Sequence, residues 1–370
     1  MGSQRVPLDM FEPNIDSSLD VSKLSQEAEQ LQSALLSKII GQDRAVKQVV
    51  AGFIPTTVNM QRENKPLGVY LFLGPTGVGK SETVKQFARY LLGSDKALTK
   101  IDCTEFQHEH ETAKLLGAPP GYVGFDRTPR LAQTEINKHQ TKERKVNIVL
   151  FDEIEKAADQ LFDSIISILG DGELTLGNGK KTDFSTSFIF LTSNLGAREI
   201  KKLLQGDGLG FVETKQTVAD IDSAIYEVSK KAVEKKWRPE FVNRMDKIIV
   251  FRPLAEDSLR RILKNELEKL QWTIYRSSFK GWDISSKEPM PKKREIKFRV
   301  SGAAMDYLLK EGTSEIYGAR ELNRAVDRFM RVPLASLISS GQLLSGDFVK
   351  VEYVAGATEL KFTKEKEWVQ

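Results

Sequence analysis

Through the middle of the chain, unbroken apolar runs alternate with longer stretches in which apolar residues return every third or fourth position. The runs are "VYLFL" (69–73), "NIVLF" (147–151), "SFIFLTSN" (187–194) and, more weakly, "KIIVF" (247–251). Continuous apolar character, without in/out alternation, marks strands covered on both faces of a parallel sheet. Between the runs, Val84, Phe87, Ala88 and Leu91 share one helical face, and Leu161, Ile165, Ile168 and Leu169 share another. Strands alternating with helices predict an α/β sandwich, placed here at 31–251.

After Pro253 the pattern changes. Leu259, Ile262, Leu263, Leu267 and Leu270 line one helical face, and a further helix is predicted from Gly302 to Lys310. A basic, turn-rich stretch, "SSFKGWDISSKEPMPKKREIKF", separates them. We read 252–356 as a smaller, mainly helical domain with a short strand in "DFVKVEYV" (347–354), and 357–370 as a tail. The first thirty residues lack the apolar stretch of a signal peptide and read as a flexible polar lead-in.

Composition narrows the picture only a little. The chain has 370 residues, 40% of them hydrophobic and 29% charged, and its 55 basic and 51 acidic residues leave a net charge of +4. That charge is too mild to argue for a nucleic-acid or anionic-membrane partner. With Cys103 the sole cysteine, no intrachain disulfide can form, which fits a cytoplasmic or other reducing soluble compartment. No apolar run approaches the roughly 18 residues that a membrane span requires.

The clearest chemistry lies in "LFLGPTGVGKSETV", with Gly74, Pro75, Thr76, Gly77, Val78, Gly79, Lys80, Ser81 and Glu82 set between a predicted strand and a predicted helix. This is the P-loop pattern in its confirming context. Glycines let backbone N–H groups wrap phosphates, Lys80 sets a cation against the β and γ oxygens, and Ser81 offers a hydroxyl to Mg²⁺. Downstream, "NIVLFDEIEKA" ends a strand in two acids. With a P-loop upstream, Asp152 is placed for the magnesium shell and Glu153 to polarise a water, which predicts hydrolysis of ATP to ADP. Acids that merely decorate a helix N-terminus are the plainer alternative.

In order and spacing, the P-loop, "LFDEIEKA", "FIFLTSN", "RPEFVNRMDKIIVF" and "YGAREL" resemble the Clp-type AAA+ ATPases. The likeness is strongest to the C-terminal ATPase module of ClpB- and ClpC-type unfoldases and disaggregases. It runs from about Leu36 to Tyr353. It implies a P-loop AAA+ sandwich followed by a small, mainly helical AAA+ lid with a short sheet. By this resemblance, Ile39, Ile40, Gly41 and Gln42 match the segment against the adenine. Asn194 matches the sensor that orients water, and Arg320 the second sensor, reaching from the small domain. Arg244 matches the arginine finger offered to a neighbouring subunit, which implies a homo-oligomeric ring, a hexamer in this family.

The same resemblance places "GAPPGYVGF" as a pore loop whose Tyr122 grips an extended polypeptide, with Val123 beside it and Gly121 and Gly124 allowing movement. On sequence alone, a tyrosine buried in a turn competes evenly with this reading. A second pore-facing loop is expected within 170–183. Relatives carry a second ring and a separate N-terminal domain, so this stretch reads either as a single-ring member or as one module of a longer protein. Two local departures stand out: Arg127, Thr128, Pro129 and Arg130 replace an acid and two glycines, and 277–294 is longer than its counterpart. Leu209, Gly210 and Phe211 resemble the tripeptide with which some unfoldases dock on a ClpP-type peptidase. The alternative is a glycine turn tucked onto its own domain.

The expected function is therefore an Mg-dependent ATPase that unfolds and threads polypeptides through a hexameric pore. Delivery of substrates to a ClpP-type peptidase and remodelling of nucleic acid are the alternatives, the latter disfavoured by Tyr122 and Val123. "HEH" (108–110) reads as a solvated loop, because residues at i and i+2 do not share a helix face. Cys103, in "KIDCTEF", sits where a strand is expected to end and reads as a small packed residue.

Overall fold

The computed structural model describes residues 19–118, 121, 125, 127–204, 218–277, 296–313 and 318–365. Its strands are β1 (Gly68–Leu73), β2 (Thr99–Asp102), β3 (Asn147–Asp152), β4 (Glu173–Thr175), β5 (Lys181–Asp183), β6 (Ser187–Ser193), β7 (Lys247–Val250), β8 (Lys297–Val300), β9 (Phe348–Glu352) and β10 (Lys361–Glu365). Five of them form a parallel sheet in the order β2-β3-β6-β1-β7.

Every residue of β1, β3 and β6 is buried, as the unbroken apolar runs predict. The pleat sends alternate side chains into two separate cores. Tyr70, Phe72, Phe188 and Phe190 meet Phe53 and Phe87 on one face, where Phe72 and Phe190 lie edge-on at 5.4 Å. Leu71, Leu73, Phe151 and Leu191 meet Ile165, Ile168 and Phe241 on the other. A third core gathers Leu263, Leu308, Leu322, Met330 and Val351 around the helix Glu256–Ser277. There β8 pairs parallel with β9, and β10 pairs antiparallel with it. Among the described residues, no helix is long and apolar enough to cross a membrane.

Three segments differ from expectation. The predicted end of the lead-in falls inside a helix, Gln26–Leu36, which is capped by the Ser25 hydroxyl and buries Ala28, Leu31 and Leu35. Those three apolar positions suffice to anchor an otherwise polar segment. The predicted tail contains β10, which supplies an edge to the small sheet through Phe362 opposite Val351. Finally, β2, which ends just before Cys103 as expected there, lies outside the four apolar runs: it is four residues long at the sheet edge, and its second residue, Lys100, is exposed.

Candidate functional site

The site is built where the carboxyl ends of β1, β3 and β6 meet, as expected for ligand clefts in open parallel sheets. The turn after β1 needs glycine: Gly74 has φ +135°, and a Cβ there would sit 2.3 Å from the Phe251 carbonyl oxygen. Phe251 is held in place because its N–H donates to Leu73 O at 2.8 Å. The chain leaving β7 thus runs directly beneath the phosphate loop. Gln42 fastens the two together. Its Nε2 donates to Arg252 O (2.8 Å) and Val78 O (3.3 Å), and its Oε1 accepts from Arg252 N at 3.1 Å. Ile39 and Ile40 line the cleft, whereas the Gln42 amide is committed to backbone on either side of the loop.

Lys80 begins the helix Lys80–Leu92 and is buried. Its Nζ donates to Gly74 O (2.6 Å), Pro75 O (2.7 Å) and Asn194 Oδ1 (2.9 Å). Burial pushes this ammonium down to about 8, with Arg320 adding to the fall and Glu155, Asp152 and Glu153 opposing it. Asn194 lies just past the end of β6, and its backbone N–H donates to Glu155 Oε1 at 3.1 Å.

Asp152 ends β3 and collects three donors. Ser81 Oγ (2.9 Å) and Thr192 Oγ1 (2.5 Å) donate to its Oδ1, and Lys100 Nζ lies 2.7 Å from its Oδ2. Burial alone would raise this carboxyl, yet the hydrogen bonds from Lys100, Thr192 and Ser81, with the Lys100 charge, hold it below the ordinary value. Glu153 adopts a left-handed conformation, φ 55°, rare for a residue with a side chain. Its N–H donates to Thr192 Oγ1 at 3.0 Å, so one hydroxyl bridges the two adjacent acids. Burial, then Glu155 and Asp152, raise the Glu153 carboxyl and make it a stronger base than an exposed glutamate.

The second unit closes the cleft. Ala319 N donates to Gly77 O at 3.2 Å, and a Cβ on Gly318 would stand 2.8 Å from Thr76 O. That contact seats the helix Ala319–Val326 on the phosphate loop and brings Arg320 into the cleft wall. The cleft measures about 910 Å³, and Lys80, Ser81, Asp152, Glu153, Asn194 and Arg320 all line it. A hydroxyl and a carboxylate form an oxygen donor set that suits Mg²⁺, and a lysine and an arginine opposite suit a polyphosphate.

Arg244 goes elsewhere. Its Nη1 donates to Ile166 O at 2.9 Å and its Nη2 lies 3.6 Å from Glu240, so it rests on the helix Asp159–Asp171 outside the cleft wall. Of the 116–126 loop, the described residues include Gly121 and a half-exposed Phe125, while Tyr122, Val123 and Gly124 lie outside them. The base of that loop is fixed. Gly177 N donates to Leu116 O at 2.8 Å, so the β4–β5 hairpin, within the predicted second loop, packs against the first. Leu209, Gly210 and Phe211, and the stretch 278–294, also lie outside the described residues. Cys103 is buried, and burial pushes its thiol up, which leaves it a packing residue. His108 caps the helix Glu109–Leu116, which lets its ring stack on His110 at 5.7 Å.

Lys100, Thr192 and Glu155 were missed by the sequence reading. Two of them sit inside quoted motifs, yet nothing in a one-dimensional pattern says which acid a strand residue faces.

Two family profiles match the chain: one described as "AAA domain (Cdc48 subfamily)" over residues 65–248, and one described as the C-terminal D2-small domain of ClpB over 285–351. "Chaperone protein ClpB 1" of Parasynechococcus marenigrum is 35% identical over 323 residues, 87% of this chain and 33% of that protein. The "ATP-dependent Clp protease ATP-binding subunit ClpA homolog" of Cyanidium caldarium is 35% identical over 339 residues, 90% of this chain and 37% of that protein. "Chaperone protein ClpB" of Meiothermus ruber is 33% identical over 316 residues, 85% of this chain and 33% of that protein. The chain therefore spans about a third of the length of the curated relatives it matches.

Proposed function

Because the chain belongs to the Clp-type AAA+ ATPases, we propose that it binds ATP in this cleft, hydrolyses it to ADP and phosphate, and uses the cycle to pull on polypeptides. The supporting observation is the convergence of Lys80, Asp152, Glu153, Asn194 and Arg320 on one cavity between two units. Lys80 exchanges its contacts with Gly74 O and Pro75 O for phosphate oxygens. Ser81 and Asp152 would hold Mg²⁺, which would supply positive charge to stabilise the phosphate oxygens. Glu153 accepts the proton of the attacking water, and Asn194 orients that water from the end of the neighbouring β6. Arg320 ties the γ-phosphate to the small unit, so hydrolysis changes how tightly the two units close.

Arg244 faces away from its own cleft wall and serves the nucleotide of an adjacent subunit, within a hexameric ring in a reducing compartment. Tyr122 and Val123 contact the polypeptide in the pore. Aromatic contact is tolerant of sequence, as a translocase needs. Relatives named as Clp protease ATP-binding subunits favour a second reading, delivery to a ClpP-type peptidase through Leu209, Gly210 and Phe211. Replacing Tyr122 with alanine tests the central reading. We expect ATP hydrolysis to persist while unfolding of a tagged model protein is lost; unfolding at the original rate would refute it.

A further inference from the structure

One contact at the site has no part in the scheme above. Lys100 stands on β2 opposite Leu150, two residues before Asp102 pairs with Asp152, so its side chain runs along the sheet edge to the Asp152 carboxylate. Its Nζ lies 2.7 Å from Oδ2, the oxygen that Ser81 and Thr192 leave unused. The Lys100 backbone is held in turn. Arg130 Nη2 donates to Lys100 O at 2.9 Å, while Arg130 Nη1 pairs with Glu105 at 3.4 Å. Arg130 ends the Arg-Thr-Pro-Arg segment that follows the 116–126 loop. The segment is anchored to the loop's base: Leu131 N donates to Leu115 O at 3.1 Å, and a Cβ on Gly117 would meet the Pro129 ring at 2.7 Å.

We propose that Lys100 is a positioning residue for Asp152, and that Arg130 sets its position from the base of the 116–126 loop. The proposal rests on the nucleotide reading of the cleft. Its physical content is competition: a carboxylate already paired to an ammonium attracts a divalent ion less strongly than a bare one. Lys100 thereby limits how strongly Mg²⁺ strengthens nucleotide binding, and any shift of the loop base that draws Arg130 away alters that limit.

The test is fluorescent ADP binding to the purified chain, titrated with Mg²⁺ and again in EDTA; it needs neither assembly nor turnover. In Lys100→Met, the ratio of the two affinities should rise by about threefold or more, since a full negative charge is returned to the ion's site. Lys100→Arg should restore the original ratio, which a purely structural defect would not do. Arg130→Met should move the ratio the same way by less, and should add nothing in the Lys100→Met background. A ratio unchanged in Lys100→Met overturns the proposal, and one unchanged in Arg130→Met overturns the link to the loop. Failure of the unmodified chain to bind ADP at all would instead refute the nucleotide reading.

Discussion

Arg320 and Arg244 carry the same guanidinium and, by resemblance, the same destination at a γ-phosphate, yet the fold treats them differently. Arg320 is carried into its own cleft by a helix seated on Gly77 O. Arg244 spends its donors on Ile166 O and Glu240 and reaches no part of that cleft wall. One arginine therefore lines the site within the chain, and the other stands outside it, as the proposed service to a second copy requires. Affinity and turnover should separate along that division.

The largest effect should come from Arg244→Ala. We expect ATP turnover to fall by roughly 10³–10⁵-fold, the usual contribution of an arginine finger acting in trans. Fluorescent ADP should still bind the dispersed chain within about twofold of the original affinity, since Arg244 makes no contact in the cleft. A comparable loss of affinity would break the division. Next in size, Glu153→Gln should slow hydrolysis by about 10²–10⁴-fold while ATP remains bound, read by single-turnover kinetics beside equilibrium binding. Normal turnover in that variant would remove Glu153 from its role.

Arg320→Ala should do the converse of Arg244→Ala. Losing one charge-assisted contact should weaken binding of a slowly hydrolysed ATP analogue by about ten- to hundredfold even in the dispersed chain. The smallest effect is expected at Gln42, whose amide makes three bonds linking the phosphate loop to the exit of β7. Gln42→Ala should cost about 1–3 kcal/mol, seen as a lowered melting temperature in the absence of nucleotide. Unchanged stability there would mean that the loop is held by its other contacts alone.

Much of this arrangement was legible in the residues because the responsible physics is local. A parallel strand buried on both faces must be apolar throughout, so β1, β3 and β6 announce themselves. The glycine spacing of residues 74–79 is imposed by backbone crowding, of which Gly74 against Phe251 O is the tightest case. What stayed hidden depends on register and distance. β2 is short, and its outward Lys100 breaks the apolar run, so only its end beside Cys103 reads from the sequence. The pairing that sets Asp102 beside Asp152 brings Lys100 to the acid from about 50 positions away in sequence. Thr192 and Glu155 likewise acquire their partners only when β3 and β6 are adjacent. The different destinations of the two arginines were expected from the family resemblance alone, since the residues of "FVNRMD" and "YGAREL" by themselves merely supply a cation.

The most direct measurement mixes two inactive variants, Arg244→Ala and Glu153→Gln, under assembling conditions and follows ATP hydrolysis. If Arg244 serves its neighbour, an Arg244→Ala subunit keeps an intact Glu153 and receives the missing arginine from an adjacent Glu153→Gln subunit. We expect activity to reappear on mixing, well above the sum of the two variants alone. A mixture no more active than that sum would contradict the claim that the site is completed by a second copy.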